Sequence, residues 1–176
     1  VAPESVAAQR VSALARAGLV VSLGHSDADY ATATAFADAG ASMVTHLFNA
    51  MSQIGNRAPG LAGAALDGGA LSAGLIADGI HVDPAVMGIA LRAKRGPARI
   101  FLVTDAMATI GTAMTSFTLN GRTVHRRDGR LTLADGTLAG ADLDMISAVR
   151  FVHRRIRLDP GEALRMASAH PAQAVG

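Results

Sequence analysis

Short apolar runs alternate with helical segments from the start of this chain as far as Asp105. The runs cover residues 19–23, 42–45, 71–77 and 99–104, with helical patterns at residues 5–17, 30–39 and 83–94. Strands that are separated by helices lie parallel and are joined by right-handed crossovers. The order therefore predicts an α/β fold, either an open doubly wound sheet or an arc of a (β/α)8 barrel.

Each apolar run ends close to a residue that can bind a metal or move a proton. These residues are His25, His46, His81 and Asp105. In both candidate folds the carboxyl ends of parallel strands converge on the active site, so we expect the four side chains to face one site. A single histidine at a strand end is usually a structural residue, but three followed by an aspartate indicate metal-assisted chemistry.

The chemistry of amide hydrolysis explains this choice of residues. Neutral imidazoles bind Zn²⁺ or Fe²⁺, and a catalytic site leaves one position open for water. The metal lowers the pKa of that water toward neutrality. A neighbouring carboxylate can then take the proton during attack and return it to the departing amine. Two histidines and one aspartate suffice for such a reaction, although they do not identify the substrate.

The pattern changes after Asp105. The dipeptides Asn120-Gly121 and Asp128-Gly129 separate short alternating segments and predict a β-hairpin insertion at about residues 115–134. The remaining sequence is helical again, over residues 144–155 and 160–168. No shift in composition divides the chain, so we expect residues 1–176 to form a single segment of one domain.

Composition excludes several classes of protein. Half of the residues are apolar and only 17% are charged, which excludes a disordered chain. No apolar stretch has the length or the flanks of a membrane span or signal peptide, and there are no cysteines, so we expect a cytoplasmic protein without a membrane partner. The net charge is +2 and the arginine pairs lack interleaved aromatics, so we expect no nucleic-acid partner.

Five segments occur in the order and spacing of one enzyme family. They are GHS at 24–26, THLFNAM at 45–51, ADGIHV at 77–82, LVTDA at 102–106 and GTLAG at 136–140. Together with PGLAG at 59–63, RMA at 165–167 and PA at 171–172, they resemble the N-acetylglucosamine-6-phosphate deacetylase family of the amidohydrolase superfamily. The resemblance covers essentially the whole chain.

The resemblance implies a partial (β/α)8 TIM barrel that lacks the early strands. It implies metal-dependent deacetylation of N-acetyl-D-glucosamine 6-phosphate to D-glucosamine 6-phosphate and acetate. His25 and His46 would be metal ligands, with Zn²⁺ as the expected ion and Fe²⁺ as the alternative, and Asp105 would be the general base.

The resemblance also implies a set of substrate-binding residues. Asn49 and the backbone of Ala50 would bind the phosphate, while Arg57 would reach the phosphate held by the neighbouring subunit of a homodimer. The sugar would be held by His81 with the turn formed by Asp78, Gly79 and Ile80. A loop of Leu138, Ala139 and Gly140 would cover the sugar or the acetyl group.

The sequence departs from the family pattern in two places. The family's glutamate metal ligand and a further histidine lie upstream of this segment, and neither Glu4 nor Glu162 is a substitute. We therefore expect the family's upstream strands and most of its small β-sandwich domain to be absent here. Ala141 stands where serine is common. Two alternatives stay open: a deacetylase for another substrate such as N-acetylgalactosamine 6-phosphate, or an inactive fragment that only binds metal or sugar phosphate.

Overall fold

The computed structural model describes residues 1–176 and contains two separate four-stranded sheets. The first sheet is parallel, with strands β1 (Val21–Leu23), β2 (Ala41–Val44), β3 (Ser72–Ile76) and β4 (Ile100–Val103) adjacent in chain order. All four lie within two residues of the predicted runs. Because the strand order never reverses, right-handed crossovers place the connecting helices on one face. This order does not match the doubly wound arrangement.

Seven helices accompany the sheets. They are α1 (Ala8–Arg16), α2 (Tyr30–Asp38), α3 (Gly60–Asp67), α4 (Pro84–Ala93), α5 (Met145–Arg155), α6 (Pro160–Met166) and α7 (Ala169–Val175). The α/β character predicted from the sequence is confirmed.

Two helices were not predicted, and one begins later than predicted. The first seven residues of α3 are all buried, so the helix has no polar face to produce a recognisable period. The short α7 follows α6 after a break at Ser168. Helix α1 begins at Ala8 rather than at Ser5, and residues 3–5 form a turn from which the Glu4 carboxylate reaches Ser26 in the loop after β1.

The two faces of the parallel sheet have different surroundings. On one face Val21, Leu23 and Leu75 join a cluster of 30 buried apolar residues that the helices complete. The opposite face lines a cavity of 140 Å³, to which Gly74 and Phe101 contribute. The alternation of strand side chains thus separates a helix-covered core from a face that leads to the site.

The second sheet is antiparallel. Its strands are β5 (Ser116–Leu119), β6 (Arg122–Arg127), β7 (Arg130–Thr132) and β8 (Leu138–Ala141). The two predicted turns are confirmed: Asn120, Gly121, Asp128 and Gly129 all have positive φ, as a type I′ turn requires. Strand β8 lies beyond the hairpin span of 115–134 and completes the sheet. No helix of the protein has the length and apolar character needed to cross a membrane.

The N-cap of α5 gives a test of helix stability. The Asp144 carboxylate accepts the Ser147 N–H at 2.7 Å, and this hydrogen bond lowers the pKa of Asp144 below its ordinary value of 3.8. A lowered folded-state pKa means that the contribution is complete above 3.8 and is lost as the pH falls through the folded value. We expect Asp144→Ala to lower the free energy of unfolding by about 1 kcal/mol at neutral pH.

This difference should shrink in acid, where the wild-type cap is protonated. Urea unfolding of wild type and variant over a pH series measures it. Asp144→Asn is the control, since asparagine keeps an acceptor and should lose less stability. A loss that does not depend on pH would contradict the cap.

Candidate functional site

Every strand of the parallel sheet is followed by a histidine or an aspartate two residues beyond its end. The strands end at Leu23, Val44, Ile76 and Val103, and the residues that follow are His25, His46, Asp78 and Asp105. His25, His46 and Asp105 have φ values of 50°, 33° and 52°. This left-handed region costs a non-glycine residue about 1–2 kcal/mol, and such strain clusters at functional sites.

The two histidines are brought together by the pairing of β1 with β2. Leu23 lies beside Val44, so His25 comes level with His46. The Nε2 atoms of His25 and His46 are 2.9 Å apart, and the rings meet edge to face with centroids 4.7 Å apart. His46 is buried, whereas His25 is exposed.

This pair fits two ligands of one metal ion. With nitrogen–zinc bonds of about 2.0–2.1 Å, a 2.9 Å separation corresponds to an angle of roughly 90° at the ion. A slight opening of the pair would give the tetrahedral angle. Nowhere in residues 1–176 do three or more His, Cys, Asp or Glu side chains gather around a possible metal position. No third side chain of these types therefore joins the pair within this chain.

Asp105 shares a cavity with the buried histidine of this pair. Both Asp105 and His46 line the 140 Å³ cavity on the open face of the parallel sheet. The Asp105 carbonyl accepts the Ala141 N–H at 2.8 Å, so the second sheet fixes the backbone of Asp105. A carboxylate that lines the same small cavity as a histidine can exchange protons with a molecule bound in that cavity.

Gly140 lies where strand β8 contacts the backbone of Asp105, and its replacement gives a second prediction. Its φ is +79°, and a Cβ there would overlap the Met107 side chain and lie 3.1 Å from the Asp105 carbonyl oxygen. We expect Gly140→Ala to displace Asp105 and to lower kcat by about 10²-fold, because a misplacement of about 1 Å can cost that much. Steady-state rates of the full-length gene product measure the effect.

Gly136→Ala is the matched control for that variant. Gly136 has a similar φ of +86°, but no atom lies within 4 Å of the added Cβ. Both variants pay the same backbone cost of about 1–2 kcal/mol. Equal values of kcat in the two variants would show that Gly140 does not position Asp105.

Asp78 and His81 form a second buried pair. Asp78 Oδ2 lies 2.6 Å from His81 Nδ1, and Asp78 Oδ1 accepts the N–H groups of Ile80 and His81 at 2.8 and 2.9 Å. Burial raises the pKa of Asp78, but the hydrogen bonds from His81 and Ile80 outweigh it, so the pKa lies below its ordinary value. His81 does not line the cavity that His46 and Asp105 share.

The loop that follows His46 lies against the turn that carries His25. The Asn49 N–H donates to the His46 carbonyl at 2.9 Å, and the Ala50 carbonyl accepts the Ser26 N–H at 3.1 Å. The N–H of Ala50 donates to no acceptor of the protein. Ala50 is exposed, with φ of 46°, so its N–H is available to a ligand.

The other expected binding residues lie further apart. Arg57 is exposed, forms no ion pair, and lines a separate cavity of 460 Å³ beside Asp27 and Asp29. Leu138 is exposed on β8, where Ala139 and Gly140 are half-buried. These three residues therefore belong to a strand rather than to a free loop.

Glu4 has a structural role at the site that the sequence did not reveal. Its Oε1 accepts the Ser26 hydroxyl at 2.9 Å and the Asp27 N–H at 2.7 Å, which fastens the turn carrying His25. Several hydrogen bonds lower the pKa of Glu4, and the one from its own backbone N–H has the largest effect. No local sequence pattern predicts this contact, because Glu4 and Ser26 are distant in the sequence and meet only in the folded chain.

Arg126 joins the second sheet to the loop after Asp105. Its Nε donates to Asp142 Oδ2 at 2.8 Å, and its guanidinium also donates to the Thr112 carbonyl at 2.8 Å. In the sequence Arg126 belongs to an arginine pair that reads as solvated surface. Three further histidines lie outside the site: His125 and His153 are exposed, and His170 lies at the amino end of β4.

Comparisons with known proteins agree with this geometry. No protein-family profile matches the chain. An N-acetylgalactosamine-6-phosphate deacetylase of Shewanella sp. (strain ANA-3) is 43% identical over 98% of this chain and 43% of its own length. An N-acetylglucosamine-6-phosphate deacetylase of Haemophilus influenzae is 37% identical over 92% of this chain and 42% of its own length.

Solved structures give the same result. The N-acetylglucosamine-6-phosphate deacetylase of Pasteurella multocida superposes with a TM-score of 0.95 at 40% identity, covering 100% of this chain and 46% of that one. A variant of the Mycobacterium smegmatis enzyme in complex with N-acetyl-D-glucosamine-6-phosphate gives 0.91 at 35% identity, with 100% and 48% covered. The chain thus spans less than half the length of the relatives it matches.

Proposed function

Since this chain is related over its whole length to the C-terminal part of the N-acetylglucosamine-6-phosphate deacetylases, we propose that the protein carrying it is such a deacetylase. It would hydrolyse N-acetyl-D-glucosamine 6-phosphate to D-glucosamine 6-phosphate and acetate. The observation that carries the proposal is the 2.9 Å pair of His25 and His46 at adjacent strand ends, with Asp105 on the cavity that His46 lines.

The parallel sheet would be an arc of a (β/α)8 barrel. Its consecutive strand order, with helices on one face, is the order of a barrel wall. The opposite face would then be the inside of the barrel, and the second sheet would be an insertion after the fourth strand. The strand ends that carry the site would lie at the carboxyl rim, where barrel enzymes place their catalytic residues.

His25 and His46 would hold a divalent metal ion, either Zn²⁺ or Fe²⁺. When bound, the ion lowers the pKa of a water molecule and polarises the acetyl carbonyl. The Asp105 carboxylate takes the proton from the attacking water. It then delivers this proton to the sugar nitrogen as the C–N bond breaks, so the amine leaves in a stable form.

The loop after His46 would bind the phosphate. The free Ala50 N–H and the Asn49 side chain are donors beside the histidine pair, and phosphate oxygens take backbone N–H donors readily. His81 and the turn from Asp78 to Ile80 would hold the sugar, and residues 138–140 on β8 would lie over it. Arg57 is exposed and forms no ion pair within the chain. Its guanidinium would therefore be free to bind the phosphate in the neighbouring subunit of a homodimer.

The galactosamine epimer is the second candidate substrate, because the Shewanella relative at 43% identity carries that name. Values of kcat/KM for both N-acetylated 6-phosphates, measured by acetate release with the metal-loaded full-length gene product, separate the two. We expect the glucosamine epimer to be preferred by about tenfold, which is the effect of one hydrogen bond. Preference for the other epimer would favour the alternative, and failure to hydrolyse either would disprove the function. We propose that the enzyme is cytoplasmic, because residues 1–176 contain no cysteine that could form a disulfide.

A further inference from the structure

We propose that Asp78 is a positioning residue, which fixes the proton of His81 on Nδ1 and so leaves Nε2 as the acceptor for a hydroxyl of the bound sugar. The inference rests on the proposed function and deepens it. It assigns the two residues different roles, one inside the turn and one toward the ligand.

The position of Asp78 in the fold is the first support. Asp78 follows β3 by two residues, as His25, His46 and Asp105 follow their strands. The residue that the third strand brings to the rim is therefore Asp78, and His81 lies further along the turn. The backbone of the strand fixes the position of Asp78 directly. His81 lies further from the strand, and its contact with Asp78 fixes its side chain.

The contacts of the carboxylate are the second support. Asp78 holds two backbone N–H groups on Oδ1 and the His81 imidazole on Oδ2, at 2.8, 2.9 and 2.6 Å. The Asp78 side chain is only 9% exposed, and that of His81 only 6%. The carboxylate therefore faces into the turn, and all three of these hydrogen-bond partners belong to the turn itself.

The chemistry of imidazole gives the consequence. Carboxylate oxygens only accept hydrogen bonds, so the 2.6 Å contact requires a proton on His81 Nδ1. In the neutral ring, Nε2 then carries a lone pair and accepts a hydrogen bond. The matching ligand group is a donor. The hydroxyls are the donors of the sugar ring itself, whereas the acetamido N–H belongs to the amide that is hydrolysed.

The surrounding packing keeps this pair in place. Gly79 has φ of +75°, and a Cβ there would lie 2.7 Å from the Phe151 ring on α5. Val82 is buried, and Asp83 caps α4 through the Ala85 N–H. The turn is thus held between α4 and α5.

A double-mutant cycle on the full-length gene product tests the proposal. Asp78→Asn keeps an oxygen for the two backbone N–H groups, but its amide donates to Nδ1 and forces the proton onto Nε2. We expect kcat/KM to fall about 10–100-fold in Asp78→Asn and in His81→Gln, the cost of leaving a buried hydroxyl donor without its acceptor. The double variant should be no slower than His81→Gln, because Asp78 acts through His81.

Asp83→Asn is the control, since asparagine also caps a helix and Asp83 lies outside the pair. Its kcat/KM should equal that of wild type. Additive losses in the double variant, or full activity in Asp78→Asn, would overturn the proposal while leaving the deacetylase function intact.

A readout without substrate separates this proposal from the function. Nitrogen-15 shifts of the His81 imidazole, followed upward in pH until they no longer change, report which nitrogen carries the proton of the neutral ring. We expect Nδ1–H in wild type and Nε2–H in folded Asp78→Asn. A proton on Nε2 in wild type would overturn the proposal even if Asp78→Asn failed to fold. This result also decides the role of Asp78 if wild type shows no deacetylase activity.

Discussion

Replacement of Asp105 by asparagine is expected to lower kcat of the full-length enzyme by about 10²–10⁴-fold, the contribution of a positioned general acid–base group. Asparagine has the same shape but can neither take a proton from water nor return one to the amine. It also tolerates the left-handed backbone that Asp105 adopts at φ of 52°. The carbonyl that accepts the Ala141 N–H is unchanged, so the fold should be kept.

The measurement is kcat for acetate release at equal metal content, with Asp128→Asn as the control. Asp128 also has positive φ, at 52°, but it lies in the turn between β6 and β7, where asparagine followed by glycine is equally favourable. The control should match wild type. If the Asp105→Asn enzyme retained the wild-type kcat, Asp105 would not be a catalytic residue.

His46→Gln is expected to have the second large effect, a loss of metal together with activity. His46 is buried and its Nε2 lies 2.9 Å from that of His25, so glutamine would remove one of the two proposed metal ligands. Changes in residues that merely support metal ligands cost about 10–100-fold in affinity. Loss of a ligand should therefore weaken binding by more than about 100-fold.

Metal content after dialysis, followed by the rate of acetate release, measures both effects. His125→Gln is the control, because His125 is exposed on β6, away from the pair. It should retain metal and rate. Retention of a full metal complement by His46→Gln would show that the ion is bound elsewhere.

Local sequence patterns predicted much of the fold because the signals are contained in neighbouring residues. The apolar runs gave the parallel strands, and Asn120-Gly121 gave a hairpin turn because these residues adopt positive φ readily. Asp83-Pro84 gave the start of α4 in the same way. One further rule predicted that the polar residues after these strands face one site: the carboxyl ends of parallel strands lie at the same edge of the sheet.

The rest depends on contacts between distant residues. Helix α3 is buried all around its first seven residues and so has no polar stripe to reveal it. Glu4 reaches Ser26 across 22 positions, and Arg126 reaches Asp142 across 16. The sequence likewise placed His81 at the end of β3, whereas the strand brings Asp78 there and His81 follows through its carboxylate.

The central claim is that these strand ends form part of a metal-dependent deacetylase site. The most direct measurement is the molar yield of acetate and of free amine from N-acetyl-D-glucosamine 6-phosphate, before and after removal of the metal from the full-length gene product. We predict equal yields of the two products, lost on chelation and restored by a divalent metal ion. No acetate from the metal-loaded protein, or a yield unchanged by chelation, would contradict the account.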